Sequence, residues 1–384
     1  TDKKFGDYQS NAAMGLAKKL KKNPRELAQE IIDKLEVTSI CSKIEIAGPG
    51  FINLHLKTDY LASYLLQIGD DRLGIEKTDA PELHVIDFSS PNLAKEMHVG
   101  HLRTTITGEV ISRIIEFVGH PTRRVNHVGD WGTQFGMLLE YIYRHQPEVI
   151  KNPDQFEVKD LESFYKKAKA CFDDEEFADA SRKKVVLLQS GDETAVKVWR
   201  AFLQESLRHC HDLYKVLGVE LEDQGESFYN DQLPLVVKEL QEVGIAQKDQ
   251  GAVCIFLDGF ENRDGNPLPM IIQKSDGGFN YDTTDLAALK YRVQEWQAKK
   301  LIYITDIRQA QHFSMLFAAS RKAGYADNST DLEHIGYGMV LGKDRKPFKT
   351  RDGNTVRLKD LVSEAVERSR AVVTQSESKN FSPE

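Results

Sequence analysis

The 384-residue chain has no run approaching the roughly 18 apolar residues of a membrane-spanning helix, which excludes a helix of that kind. Residues 1–20 alternate charged and small side chains, without the apolar stretch of a secretory signal. Cysteine is scarce. Cys41, Cys171, Cys210 and Cys254 lie far apart and show no metal-ligand spacing, so they read as small core residues of a cytoplasmic protein, and no metal-ligating residues are expected. Positive charge is not in excess. The net charge of −8 argues against indiscriminate nucleic-acid binding, but local patches leave room for a selective RNA partner. Candidate patches are Lys18-Lys19, Lys21-Lys22, Lys166-Lys167, Lys299-Lys300 and the run from Lys343 to Arg351, each of which alone reads more simply as a solvated face.

What is present changes style along the chain. Residues 1–80 read as a small α+β domain: helical spacing at Met14–Leu20 and Leu27–Leu35, alternating strands at Ile44–Ile46 and Phe51–Leu56 around a Gly48-Pro49-Gly50 turn, and a further helix over Tyr60–Ile68. Residues 81–145 carry a buried strand at Leu83–Phe88 and then a helix on which Val99, Leu102, Ile106, Val110, Ile114 and Phe117 mark one face. A strand at Arg124–Val128 and a helix through Tyr143 follow, an order that implies parallel pairing. Residues 146–265 interrupt it as a mainly helical insertion with a strand at Ala252–Leu257. The pattern resumes near Ile271, so 266–335 is the second half of the core, with a strand at Leu301–Ile304 and a helix at Gln309–Ala323. Residues 336–384 hold a glycine-led basic loop and a helix from Leu358 to Val373. The fold class expected is α/β: a Rossmann-type parallel-sheet catalytic core with an N-terminal α+β domain and a helical insertion.

The most specific segment is Ser89-Ser90-Pro91-Asn92-Leu93-Ala94-Lys95-Glu96-Met97-His98-Val99-Gly100-His101-Leu102-Arg103. It joins a buried strand to a long helix, the place in an α/β fold where phosphates bind. His98 and His101, three apart on a first helical turn, project from one side, and the helix N-terminus adds positive potential. Gly100 lets a nucleotide approach the backbone, and Lys95 stands close enough to reach a phosphate. Activating a carboxylate with ATP needs such position and charge rather than protein covalent chemistry. The plainer alternative is a pair of capping histidines. Across the sheet, Asp87 closes the first strand, and Tyr281 and Asp285 share a helix face, where a carboxylate beside an aromatic ring suits a guanidinium. Asp285 could equally sit in a helix cap, and Asp87 in a strand-end turn. The Lys343–Arg351 loop could close over a triphosphate or simply be solvated.

Together these residues resemble the arginyl-tRNA synthetases, a class I aminoacyl-tRNA synthetase family. The carriers are the Ser90–Arg103 segment, Asn126-His127-Val128-Gly129-Asp130-Trp131-Gly132-Thr133-Gln134-Phe135-Gly136, and the opening Phe5-Gly6-Asp7-Tyr8-Gln9-Ser10-Asn11. The resemblance, in the bacterial style, extends over nearly the whole chain. It implies ATP-dependent activation of L-arginine and its transfer to tRNA(Arg), with Mg2+ on the phosphates, in a cytoplasmic monomer. It implies that His98, His101 and Lys95 are catalytic, and that His98, Gly100, His101, Met339, Val340, Lys343 and Lys346 bind ATP. It implies that Asp87, Ser90, Asn92, His127, Tyr281, Asp285 and Gln309 hold arginine, the carboxylates taking the guanidinium. Phe51 and Asn53 match positions that contact a base of the tRNA D-loop. The family's Lys-Met-Ser-Lys-Ser loop is missing; Lys343, Lys346 and Lys349 occupy that region without the motif, and Lys95 is expected to compensate. The family also has a helical anticodon-binding domain after the core, and Glu384 falls about where it should begin, so a fragment is expected. A glutamate enzyme would need a cationic pocket, against Asp87 and Asp285. A cysteine enzyme would need zinc spacing. A non-catalytic relative would be expected to lose His98, His101 or Asn92.

Overall fold

The computed structural model describes residues 5–158, 160–262, 264–339, 341 and 357–375, in two compact units, Thr1–Lys77 and Thr78–Glu384.

In the first unit the order is β1 (Tyr8–Ser10), α1 (Ala12–Leu20), α2 (Pro24–Ile32), β2 (Cys41–Ala47), β3 (Phe51–Leu56) and α3 (Thr58–Gln67). Asn23 caps α2 by accepting from the Arg25 amide, and Pro24 takes the first helical position, where no amide is needed. The strands form an antiparallel sheet in the order β1-β3-β2. Ile44, Ile46, Ile52 and Leu54 alternate onto one face and pack against Ala13, Ala28, Ile31 and Ile32. The Phe5-Gly6-Asp7 segment is a clasp. Gly6 has φ +87° and lies so near β3 that a Cβ would stand 2.6 Å from the Leu54 carbonyl oxygen, while the Asp7 carboxylate accepts from the Leu56 amide at 2.7 Å.

The second unit runs β4 (His84–Asp87), α4 (Val99–Phe117), β5 (Thr122–Asn126), α5 (Thr133–His145), α6 (Pro147–Lys151), α7 (Leu161–Cys171), α8 (Glu175–Gln189), α9 (Glu193–Leu217) and β6 (Glu222–Asp223). It continues α10 (Leu233–Glu242), β7 (Ala246–Asp249), β8 (Ala252–Glu261), β9 (Pro267–Gln273), α11 (Tyr281–Gln294), β10 (Lys300–Asp306), α12 (Ala310–Lys322), β11 (Asp331–Tyr337) and α13 (Leu358–Gln375). Five strands form an all-parallel sheet in the order β11-β10-β4-β5-β6. Successive strands are added on one side of β4, then on the other, so the order reverses between β4 and β10. A crevice opens at the carboxyl ends of strands at such a reversal. Both faces of the sheet are buried. Ile86, Ile302 and Ile304 join a core with α5 and α9, whereas Val85, Leu301 and Tyr303 join one with α11 and α12.

Three features depart from the sequence reading. The apolar stripe of α4 is not its packing face: Ile106, Val110, Ile114 and Phe117 are exposed, while Thr104, Thr105, Gly108 and Ser112 are buried. The helix lies so close to the sheet that a Cβ on Gly108 would enter the Phe88 ring, which selects small residues there. The chain also rejoins the parallel sheet at β6, two acidic residues with no apolar signal. Finally, Ile271 lies in β9, which pairs antiparallel with β8 in a separate sheet, so the parallel sheet resumes only at β10.

Candidate active site

The crevice begins with two strained residues. Ser89 and Ser90, after β4, have φ of 69° and 47°, a left-handed conformation that costs a non-glycine residue energy. Hydrogen bonds hold them there. The Ser89 amide donates to Thr104 Oγ1 at 3.0 Å, Thr105 Oγ1 donates to Ser89 Oγ at 3.0 Å, and the Tyr214 hydroxyl of α9 lies 2.7 Å from Ser89 Oγ. The Ser90 amide donates to Asn126 Oδ1 at 3.0 Å, and Ser90 Oγ donates to Asp87 Oδ1 at 2.9 Å and accepts from the His127 amide at 3.1 Å. Beyond Pro91 the chain pairs with the segment after β5: Leu93 donates to the Gly129 carbonyl and Gly129 to the Pro91 carbonyl. Asn92 is exposed here, its side-chain oxygen accepting from the Ala94 amide.

His98 and His101 do cap α4, and capping aims them. His98 Nδ1 accepts from the Gly100 amide and His101 Nδ1 accepts from the His98 amide, both at 3.0 Å. The ring centroids are 4.0 Å apart. With Nδ1 accepting, the proton of each neutral ring belongs on Nε2, which becomes a donor. Desolvation lowers the His98 imidazole, and burial together with the His98 charge pushes His101 down to about 3. The structure also revises the reason for Gly100: a Cβ there would stand 2.8 Å from the His98 ring, so glycine makes room for the folded-back imidazole. Lys95 is exposed, its Nζ 4.8 Å from the centre of the Tyr165 ring. Arg103 donates to the Gly338 carbonyl at 2.9 Å, which ties the segment before the half-exposed Met339 to α4. Val340, Lys343 and Lys346 lie outside the described residues.

On the other side, four separate segments bring titratable groups together. His127 Nε2 lies 3.5 Å from Asp285 Oδ1, and His312 Nε2 lies 2.7 Å from Asp285 Oδ2. His312 Nδ1 is 3.1 Å from Asp282 Oδ1, and its ring meets Tyr281 edge-on at 5.0 Å. Burial favours the neutral form of Asp285, but the two imidazoles outweigh it and hold the carboxyl well below its ordinary value. Burial lowers both imidazoles as well, yet the facing carboxylates prevail: His127 is shifted up, and His312 is pushed up to about 9. Nearby Glu226 is pushed by burial up to about 7. Tyr281 is exposed, and exposed Gln309 stands at the N-terminus of α12.

Asp87 corrects the sequence reading. It is buried, with Oδ2 2.7 Å from Nη1 of the equally buried Arg292 and Oδ1 taken by Ser90. An internal guanidinium thus already occupies the carboxylate expected to receive one, and Asp285 is the acid left facing the crevice. In the first unit, Asn53 is likewise 1% exposed, its oxygen accepting from Gln9 Nε2 at 2.8 Å, so it presents no free amide to a base. Phe51 is half-buried beside the glycine turn. Sequence reasoning missed Arg292, His312, Tyr214 and Glu226. Only His312 carried a signal, as a histidine one helical turn after Gln309.

The family described as "tRNA synthetases class I (R), catalytic domain" matches residues 65–384, and "Arginyl tRNA synthetase N terminal domain" matches residues 1–56. Among curated relatives, an arginine–tRNA ligase of Picosynechococcus is 53% identical over 370 residues, covering 96% of this chain and 63% of its own length. One of Nostoc is 53% identical over 372 residues, with the same coverage. The chain therefore spans about 63% of the length of these relatives. A solved arginyl-tRNA synthetase of Plasmodium falciparum superposes with a TM-score of 0.75 at 34% identity, over 98% of this chain and 64% of that one. The Thermus thermophilus enzyme, at 20% identity and a TM-score of 0.71, shares the fold.

Proposed function

The chain belongs to the class I arginyl-tRNA synthetase family, and we propose that it supplies the arginine-activating site of such an enzyme. In the reaction an oxygen of the L-arginine carboxylate attacks the α-phosphorus of ATP. The bond from that phosphorus to the bridging oxygen breaks, pyrophosphate leaves, and arginyl-adenylate remains for transfer to the 3′ end of tRNA(Arg). One observation carries the reading: two imidazoles kept uncharged, with Nδ1 accepting from backbone amides, and an Asp285 carboxyl held low by two further imidazoles stand at the same end of one parallel sheet.

His98 and His101 donate to phosphate oxygens as negative charge builds in the transition state. Two neutral donors suit this step, since they stabilise added charge without first surrendering a proton. Lys95 and the lysines of the Lys343–Arg351 run are read as adding positive charge. Asp285 and the Tyr281 ring receive the guanidinium, with His127 fixing the carboxylate. Asn92, Ser90 and Gln309 line the route to the α-amino and carboxylate groups, and the Gly338-Met339 backbone faces adenine. Mg2+ is read as entering on the ATP phosphates, the way this ion usually reaches such sites. The first unit meets the tRNA through the Phe51 face. The four free cysteines fit a reducing cytoplasm.

ATP–pyrophosphate exchange with each amino acid, with and without tRNA, tests the reading. Exchange is expected with arginine alone and with tRNA present, in the chain extended to its relatives' length. Exchange with glutamate or cysteine overturns it.

A further inference from the structure

We infer that His312 is a resident counter-cation of the guanidinium pocket and gives up its proton when a guanidinium pairs with Asp285. This rests on the arginine-site reading above. Its basis is geometric. Both ring nitrogens of His312 point at carboxylate oxygens, Nδ1 at Asp282 and Nε2 at Asp285, at 3.1 and 2.7 Å. A neutral imidazole has one N–H, so its second nitrogen would press a lone pair against a carboxylate. Only the doubly protonated ring satisfies both contacts. The ring cannot easily turn away, because Tyr281 and Phe313 flank it edge-on at 5.0 and 5.1 Å.

The pocket itself therefore holds one positive charge on the oxygen that a guanidinium would seek. Asp87 offers no alternative, being paired with Arg292 in the core. An arriving guanidinium brings a second cation to within a few ångströms of the imidazolium, which disfavours the charged ring. The proton then passes to solvent, and the neutral ring keeps one N–H for one of its two carboxylates. No bond to carbon or phosphorus is made or broken. The other titratable groups around His312 are Asp282 and Asp285 on α11, His334 on β11 behind Phe313, and His127 and Glu226 across Asp285. The arrangement makes the pocket answer to charge as well as shape, since a neutral isostere of arginine does not displace the proton.

Calorimetric titration of the whole chain with L-arginine, in two buffers of different ionisation enthalpy at pH about 8.5, measures the proton count directly. Glu226 is already ionised there and contributes little. The expected result is release of about half a proton or more per arginine bound, almost none with L-citrulline, and almost none from His312→Gln. A wild-type chain that binds arginine without releasing protons overturns the inference, as does undiminished release from the variant. If the variant does not fold, wild-type affinity decides: it should rise about threefold between pH about 8 and about 9, and a flat profile refutes the linkage. Failure of the wild-type chain to bind arginine at all refutes the arginine-site reading itself, a distinct outcome that removes this inference with it.

Discussion

Two pairs of histidines at one end of one sheet are held in opposite states. His98 and His101 are kept neutral by desolvation at a helix start, with His101 down to about 3. His127 and His312 face carboxylates and are shifted up, His312 to about 9. The side chain is the same, so the difference lies in what surrounds it: backbone amides and a second imidazole on one side, ionised acids on the other. The first pair offers uncharged donors and the second surrounds an ionised acid; on the proposed reading they serve a polyanion and a cation.

The same contrast runs between two aspartates, and breaking it gives the largest expected effect. Asp87 is paired in the core with Arg292, and Asp285 is the acid that the proposed reading gives to the ligand. Arg292→Met leaves Asp87 buried without a counter-charge and should cost about 3–5 kcal/mol in urea unfolding, most of it recovered by adding Asp87→Asn. Loss of arginine affinity at unchanged stability would instead move Asp87 to the ligand side. Next comes His101→Ala, which should lower turnover by roughly 100- to 1,000-fold while arginine binding persists. Lost arginine binding would place that ring in the wrong half of the site.

The two states also predict a stability profile with two limbs. For His312 the folded value lies above the unfolded one near 6.5, so its stabilisation is complete below that pH and is lost as pH rises through about 9. For His101 the folded value lies below it, so stability is lost as pH falls from about 6.5 toward 3. His312→Phe should flatten the alkaline limb of Tm against pH, and His101→Ala the acid limb. An unchanged limb in either variant rejects that assignment. The smallest expected change is the thermal effect of His98→Asn. Asparagine caps as well as histidine, so stability should hold within about 0.5 kcal/mol while turnover still falls; equal loss of both would mean that His98 only caps.

How far the chain could be read depended on distance along it. His98 and His101 sit within one helical turn, and Tyr281 and Asp285 share a helix face, so local spacing was enough to place each pair together, though not to give the reason for Gly100. The role of Asp87 was not legible, because a strand-ending acid looks the same whether it meets a ligand or an arginine from α11. Arg292 itself resembles any solvated arginine of an amphipathic helix. The stripe on α4 misled for a related reason: close packing on Phe88 rewards small side chains, and hydrophobic periodicity does not register them. Strand β6 left no trace, since its two acidic residues carry no apolar alternation and are held to β5 by polar contacts, Arg123 Nε donating to Glu222 at 2.9 Å and Asn126 Nδ2 to Asp223 at 2.7 Å.

The hydroxyl that Tyr214 lends to Ser89 has a consequence for anyone who would rebuild this protein. The long helical interruption is not a detachable ornament, because it clamps the very bend from which the loop after Pro91 departs. Chimeras that exchange the interruption between relatives must carry a phenol at that position, or the bend will relax toward ordinary backbone and the loop will drift.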